Sequence, residues 1–308
     1  MSISVFEYIM QLQQPLKPIT TAVVHPVDEL SLSGTVDAFK KGIISPILVG
    51  PKQKILAAAN KYDIDILNIP IIATPHSHAA AEKAVELVRE GKVEALMKGK
   101  LHTDELMSAV LDKAKGLRTG RRMSHILTMD VPSYHKPLLL TDAAINISPS
   151  LMTKKDITQN AIDLFLSLKK GTPKVAIVSA VETVTESIPS TLDATALCKM
   201  AERGQITNAI LDGPLGFDNA ISKQAAKAKG IYSEVAGDAD IIVVPDLESG
   251  NMLYKQMSFL FQVESAGIVL GARVPIILTS RATRSDLARS ASCALAAVYL
   301  NAQAVLTQ

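Results

Sequence analysis

The chain has 308 residues, long for a single hydrophobic core, so two domains of roughly 150 residues each are expected. Hydrophobic residues make up 48% and charged residues 20% of an ordinary globular composition, and the net charge of +2, with basic residues dispersed among acidic ones, excludes an extended phosphate-backbone footprint and with it a nucleic-acid partner. No apolar run reaches the roughly 18 residues needed to cross a bilayer, Met1–Met10 lacks the cationic start and apolar core of a secretory signal, and Cys198 and Cys293 lie in apolar helical patterns without metal-ligand spacing, so a cytoplasmic protein with no membrane partner is expected.

Short aliphatic runs alternate with amphipathic stretches throughout, the pattern of parallel strands joined by crossover helices. In the first half Ile19–Val24, Ile47–Val49, Ile66–Ile69, Ala95–Met97, Ile126–Met129 and Leu138–Leu140 read as strands. Val27–Lys41, Pro51–Lys61, Ser77–Glu90 and Thr103–Lys113 have helical spacing, and Gly42 and Gly91 directly follow two of these segments as helix-terminating glycines. The small and polar stretch from Thr141 to Ser150 suits a domain crossing.

A second alternating series follows. Helices are expected over Lys154–Leu168, Leu192–Arg203, Ala220–Lys229 and Leu247–Phe261, and strands over Lys174–Val178, Ala209–Leu211 and Ile241–Val244. Ile268–Leu270 and Val274–Leu278 are the last strands; Ser285–Leu300 is the last helix. The expected partition is residues 1–140 plus 279–308 in one α/β domain and 141–278 in another, the chain returning to the first domain with its final helix.

Several junctions carry groups suited to chemistry. Lys98, Gly99, Lys100, His102 and Thr103 lie between a strand and a helix; Gly99 permits a tight turn, Thr103 can cap the helix, and the first-turn N–H groups with the two lysines would hold an anion. The same segment also reads as an ordinary capped loop with solvated lysines. Arg118, Arg121 and Arg122 form a compact basic cluster able to match phosphate or carboxylate, or simply a solvated turn. His125, beside an apolar strand, reads as a hydrogen-bonded structural histidine. Loops at Asp212–Ala220 and Val244–Met252 add a carboxylate, small residues and an amide each; Asp246 is also a candidate N-cap. Neither has dinucleotide or P-loop spacing. His25, His76 and His78 are scattered without a third ligand, and no metal is expected. At Val274–Asp286 an apolar strand opens abruptly into hydroxyl, guanidinium and carboxylate groups, placed where the ligand crevice of an open α/β sheet lies.

In order along the chain, ALMKGKLHTDEL, GRRMSHILTMDVPSY, LLLTDAAINISP, LDGPLGFDNAIS, AGDADIIVVPDLESGNMLYKQ and SAGIVLGARVPIILTSRA resemble the phosphate acetyl/butyryltransferase family over nearly the whole chain. The likeness is to the acyltransferase portion that in some proteins is fused behind an enoyl-CoA hydratase domain, without the hydratase portion. The resemblance implies an isocitrate/isopropylmalate dehydrogenase-like architecture of two α/β domains with an interdomain cleft, and a homodimer or an assembly of dimers. It implies reversible exchange of an acyl group between coenzyme A and phosphate, with acyl-CoA, phosphate and acyl phosphate as partners and no permanently bound cofactor. The family's Ser-Arg pair matches Ser280 and Arg281. Acetyl-type members carry an aspartate seven residues after that serine, a spacing held here by Leu287, and the aspartate of the butyryl-type Ser-Arg-Ala-Asp is replaced by Thr283; Asp286 is the carboxylate nearest the pattern. Catalytic roles are therefore expected for Ser280, Arg281 and Asp286, and phosphate or CoA binding for Lys98, Gly99, Lys100, His102, Thr103, Arg118, Arg121, Arg122, Asp246 and Asn251. A non-catalytic CoA- or acyl phosphate-binding regulator, and a metal-dependent decarboxylating dehydrogenase of the same fold, are the alternatives.

Overall fold

A computed structural model describes residues 3–278 and 285–306. The chain divides into two compact units, one made of residues 1–121 and 266–308 and the other of residues 122–265. None of the described helices is long and apolar enough to cross a membrane.

The first unit opens with helix α1 (Val5–Gln13), which the sequence reading missed. A capping box starts it: Ser4 Oγ accepts from Glu7 N and Ser4 N donates to the Glu7 carboxylate. Strand β1 (Ile19–Val24), helix α2 (Glu29–Lys40), β2 (Ile44–Gly50), α3 (Lys52–Lys61), β3 (Ile71–Ala73), α4 (Ser77–Arg89), β4 (Ala95–Lys98) and α5 (Thr103–Val110) follow. The expected strand at Ile66–Ile69 is instead a turn, closed by Ile69 N donating to Ile66 O, in which Ile66 and Ile69 are buried and Leu67 points to solvent. Hydrophobic content alone misplaced it; the strand begins just after Pro70, where the chain pairs with β2.

The second unit contains β5 (Ser124–Asp130), β6 (Leu138–Thr141), α6 (Leu151–Ser167), β7 (Lys174–Val178), α7 (Pro189–Glu202), β8 (Ile210–Leu215), α8 (Phe217–Ile221), α9 (Lys223–Ala228), β9 (Ile241–Val243) and α10 (Leu247–Leu260). The single helix expected over Ala220–Lys229 is broken at Ser222, whose extended backbone caps α9 with its hydroxyl accepting from Ala225 N. Strand β10 (Glu264–Leu270) carries the chain back, and β11 (Ile276–Ile277) and α11 (Asp286–Leu306) complete the first unit. There α1 packs on α11.

Strand order is β3-β2-β1-β4-β11-β10 in the first unit and β5-β6-β9-β7-β8 in the second. All neighbours within each unit are parallel except β10 with β11 and β5 with β6. The crossings fall earlier than the expected 140/141 and 278/279, and pairing explains why. Strand β6 is held by β5 on one side and β9 on the other, so both hairpin strands belong to the second unit. Strand β11 lies parallel to β4, so the residues around Pro275 belong to the first. Thr141–Ser150 is therefore no crossing but a loop inside the second unit.

Two ionisable features of the second unit bear on stability. Asp238 accepts from Lys174, Lys136 and His135, and although burial pushes its carboxyl up, those bonds outweigh it and hold the group well below the usual carboxylate range. His125 on β5 departs from expectation: it is buried, and neither ring nitrogen has a hydrogen-bond partner among the described residues. Burial pulls its pKa down to about 4, against the opposing charge of Asp142. An unfolded histidine titrates near its ordinary value of about 6.5. Between those values the unfolded chain binds the extra proton, so this contribution to stability is complete above the upper value and is lost as pH falls toward the lower one. We expect His125→Leu to flatten the pH dependence of urea unfolding between about pH 6.5 and 4, while Asp238→Asn lowers stability at neutral pH and leaves that slope in place. Equilibrium urea titrations at stepped pH check both.

Candidate active site

In parallel sheets the C-terminal strand ends share one edge, where ligands bind. In the first unit this edge is formed by the ends of β1, β2, β4 and β11. Val24 pairs with Lys98 and Ile277 with Met97, so Leu278 stands one step beyond, level with Lys98. Ser280 and Arg281 lie outside the described residues.

Two loops interlock at this edge. Gly99 N donates to Val24 O at 2.9 Å and Lys100 N to His25 O at 2.9 Å. His25 has a left-handed backbone, φ 55°, and its Nδ1 lies 2.7 Å from Lys100 O. A Cβ on Gly99 would stand 2.5 Å from Val24 O and 2.8 Å from His25 O, so only glycine fits. Lys98 Nζ donates to the carbonyls of Gly99 and Leu101, which bends its ammonium over the loop it belongs to. Lys100 is exposed.

Helix α5 begins one residue earlier than the capping expectation requires. His102 occupies the N-cap position without a side-chain bond, and Thr103 is the first helical residue. Asp104 and Glu105 fill the first turn and themselves complement the positive helix end. The Ser77 hydroxyl, with His78 and His102 nearby, holds the Glu105 carboxyl below its usual range. An anion at this loop would thus depend on lysine charge and loop N–H groups. The other histidines have local duties: His76 Nδ1 caps α4 by accepting from Ala79 N at 3.2 Å, and His78 lies 3.7 Å from Glu105.

The basic cluster is divided by the unit boundary. Arg118 is exposed and forms a backbone bridge with Ala272, and Thr119 Oγ1 donates to Gly271 O, both within the first unit. Arg121 is half-buried and ends the first unit. Arg122 opens the second, where its N–H donates to Asp156 and its carbonyl accepts from Asn160, leaving an exposed side chain on a backbone pinned from both sides. Asp286 starts α11, and its carboxylate is 75% exposed and paired with Arg289.

In the second unit the ends of β6, β9, β7 and β8 share the corresponding edge. Asp142, directly after β6, is the hub of its loop: it accepts from the N–H groups of His125, Ala144, Ile145 and Asn146 and from the Asn146 amide. Helix α10 is seated against this loop. Asn251 Nδ2 donates to Ala143 O at 3.1 Å, and a Cβ on Gly250 would stand 2.9 Å from Asp142 O. Asp246 is the N-cap of α10, its Oδ1 accepting from Ser249 N and Oγ at 2.8 Å each. Asp246 Oδ1 and Asn251 Nδ2 thus brace α10 and the loop that starts at Asp142.

Sequence reasoning missed Asp142 and a second group, at the ends of β7 and β8. Glu182 accepts from Asn219 Nδ2 and from Lys229 Nζ, each at 3.3 Å, and Asp218 lies 3.6 Å from the same ammonium. A glutamate four residues past the end of β7 was the available signal. Burial pushes both thiols, Cys198 and Cys293, up to about 12, so neither is a thiolate at neutral pH.

Comparison with known proteins gives this geometry its context. The family described as phosphate acetyl/butaryl transferase matches residues 73–295. A phosphate acetyltransferase of Rhizobium meliloti is 60% identical over 282 residues, 92% of this chain and 89% of its own. A phosphate butyryltransferase of Clostridium acetobutylicum is 41% identical over 95% of this chain and 96% of its own. The crystal structure of a branched-chain phosphotransacylase from Enterococcus faecalis V583 superposes with a TM-score of 0.77 at 28% identity, covering 92% of this chain and 99% of that one.

The loop interlock makes a prediction of its own. Gly99→Ala should lower the thermal midpoint by several degrees, since the added carbon collides with backbone rather than with a side chain able to turn away, whereas Gly120→Ala, which meets open space, should leave it unchanged; differential scanning calorimetry of the two variants separates them. The match across the greater part of the sequence, with relatives that align over nearly their whole length, places this chain in the phosphate acetyl/butyryltransferase family of acyltransferases.

Proposed function

We propose that this enzyme transfers an acetyl or short-chain acyl group reversibly between coenzyme A and inorganic phosphate, by direct attack of the CoA thiolate on the acyl phosphate in a ternary complex. The C–S bond forms as the C–O bond to phosphate breaks, and phosphate leaves with the electron pair. Besides family membership, the observation that carries this reading is the register of β11 on β4. It brings Leu278, the residue after β11 and two before Ser280 in the sequence, level with Lys98 at the ligand edge of the sheet.

In this reading Arg281 neutralises the phosphate, and Ser280 donates to the carbonyl oxygen as charge develops there. A CoA thiol with a pKa of about 8.5 is only a few per cent thiolate at neutral pH, so a base assists, and Asp286 is the carboxylate assigned to accept the proton. Lys98, Gly99, Lys100, His102 and Thr103, with Arg118, Arg121 and Arg122, hold phosphate or the CoA phosphates. Asp246 and Asn251 act one step back by fixing the loop that starts at Asp142. The high pKa of both thiols supports direct transfer over a cysteinyl intermediate. The isocitrate/isopropylmalate dehydrogenase-like form of the fold is part of the same proposal; the mixed α/β build of each unit and the return of α11 to the first unit support it.

Thiol release should require phosphate when the protein is mixed with acetyl-, propionyl- or butyryl-CoA, and the relative rates report acyl preference. A protein that binds CoA tightly but releases no thiol would be a regulator instead. Arg281→Ala should cut turnover by on the order of 100-fold or more with the fold retained, and near-wild-type acyl phosphate formation would remove that role. Asp286→Asn should lose turnover while binding CoA; a rate unchanged across pH would assign the base elsewhere.

A further inference from the structure

The loops after β7 and β8 bring together a polar group that the acyl-transfer reading leaves without a role. Val178 pairs with Leu215, so the two strands end level on the ligand edge of the second unit. Glu182 follows β7, Gly216, Asp218 and Asn219 follow β8, and Lys229 closes α9. Glu182 Oε2 accepts from Asn219 Nδ2 and from Lys229 Nζ, each at 3.3 Å, and the Lys229 ammonium also stands 3.6 Å from Asp218 Oδ2. A Cβ on Gly216 would lie 2.7 Å from Asp218 Oδ1, 3.1 Å from Asn219 Nδ2 and 3.7 Å from Glu182 Oε2. A side chain at 216 would stand among these groups, and glycine leaves that space clear.

Two acceptors in this group lack donors. Asn219 is fully buried, and its Oδ1 has no hydrogen-bond partner among the described residues. Turning the amide over would set its oxygen against the Glu182 carboxylate and orphan the nitrogen instead, so either orientation leaves the group incomplete. The bonds to Glu182 among the described residues all use Oε2, which leaves Oε1 unpaired on a side chain 31% exposed. An acceptor taken out of water without a donor is unfavourable, and a bound N–H or O–H relieves it. Charge narrows the choice of donor. Glu182 and Asp218 share one ammonium, so negative charge is in excess. Acyl phosphate and the phosphates of CoA bring acceptor oxygens and negative charge, the wrong complement for such a group. The uncharged, donor-bearing parts of CoA remain: the amide N–H groups and hydroxyl of its pantetheine arm, and the amino and hydroxyl groups of its adenosine.

We propose that Glu182 is a CoA-binding residue, its Oε1 accepting a hydrogen bond from an uncharged N–H or O–H of CoA. Asn219 and Lys229 are its positioning residues, holding the other oxygen of the same carboxylate. The inference rests on the acyl-transfer reading for the identity of the ligand, and its tests separate the two.

Steady-state rates with CoA and acetyl phosphate measure the role. In Glu182→Ala the KM for CoA should rise about tenfold or more while that for acetyl phosphate changes by less than about twofold. Glu182→Gln, which keeps an acceptor oxygen, should recover most of the loss. Pantetheine used in place of CoA locates the donor: the same penalty with both thiols puts it in the pantetheine arm, and a penalty with CoA alone puts it in the adenosine. Because Glu182→Ala strands a buried amide and could disturb the fold, hydrogen exchange on the wild-type chain supplies a second reading. Desulfo-CoA, which cannot turn over, should protect peptides covering residues 179–188 and 216–221, and acetyl phosphate should not. An unchanged KM for CoA in a folded Glu182→Ala, a rise confined to acetyl phosphate, or desulfo-CoA protection that spares both segments would each overturn the assignment. A wild-type chain that releases no thiol would remove the acyl-transfer reading, and the exchange experiment would still decide whether CoA meets this group.

Discussion

The parallel register of β1, β4 and β11 is the constraint from which the candidate site follows. Pairing Val24 with Lys98 brings two strand ends to one level, and the carbonyls of Val24 and His25 then receive the N–H groups of Gly99 and Lys100. That contact needs a backbone with no side chain at position 99 and a left-handed residue at 25. Once both conditions are met, the Lys98 side chain has carbonyls of its own loop to bond, and the start of α5 is held beside α4. Loosening any of these bonds would free the others, because each closes a turn that another opens.

The second unit solves the same problem with a carboxylate. Asp142 gathers four backbone N–H groups and one side-chain amide around its two oxygens, which replaces a regular turn by a compact loop. Helix α10 approaches that loop closely because residue 250 is glycine, and Asp246 and Asn251 fix it at its N-terminal end. One oxygen of Asp246 and the amide nitrogen of Asn251 thus serve the geometry of this loop.

Much of this was legible in advance, and the failures have physical causes. Alternating aliphatic and amphipathic runs located most strands and helices because parallel strands buried on both faces must be apolar. Helix α1 was missed because its stripe, Val5, Phe6 and Ile9, is short and its partner is the last helix of the chain, a pairing no local pattern reveals. The break at Ser222 and the turn at Ile66–Ile69 escaped because a cap or a tight turn costs one residue, less than periodicity resolves. The Lys98–Thr103 loop was readable from its glycine and position. Asp142 was not, because a hub carboxylate and a solvated one look alike until their neighbours are known.

The chemistry also explains why so little of the candidate site needs to be reactive on its own. When a thiolate displaces phosphate from an acyl group, both reactants are supplied by substrates and the charge merely moves from sulfur through the carbonyl oxygen to phosphate. Protein groups that follow that charge lower the barrier only if they are held in place beforehand. A protein nucleophile would add a second covalent step, and with Cys198 half-buried, Cys293 buried and both thiols pushed up to about 12, this chain offers no thiolate for it. What the reaction demands is guanidinium, ammonium and hydroxyl groups on a stiff backbone. The interlocked loop of the first unit, the pinned backbone of Arg122 and the Asp142 hub of the second provide that stiffness at strand ends.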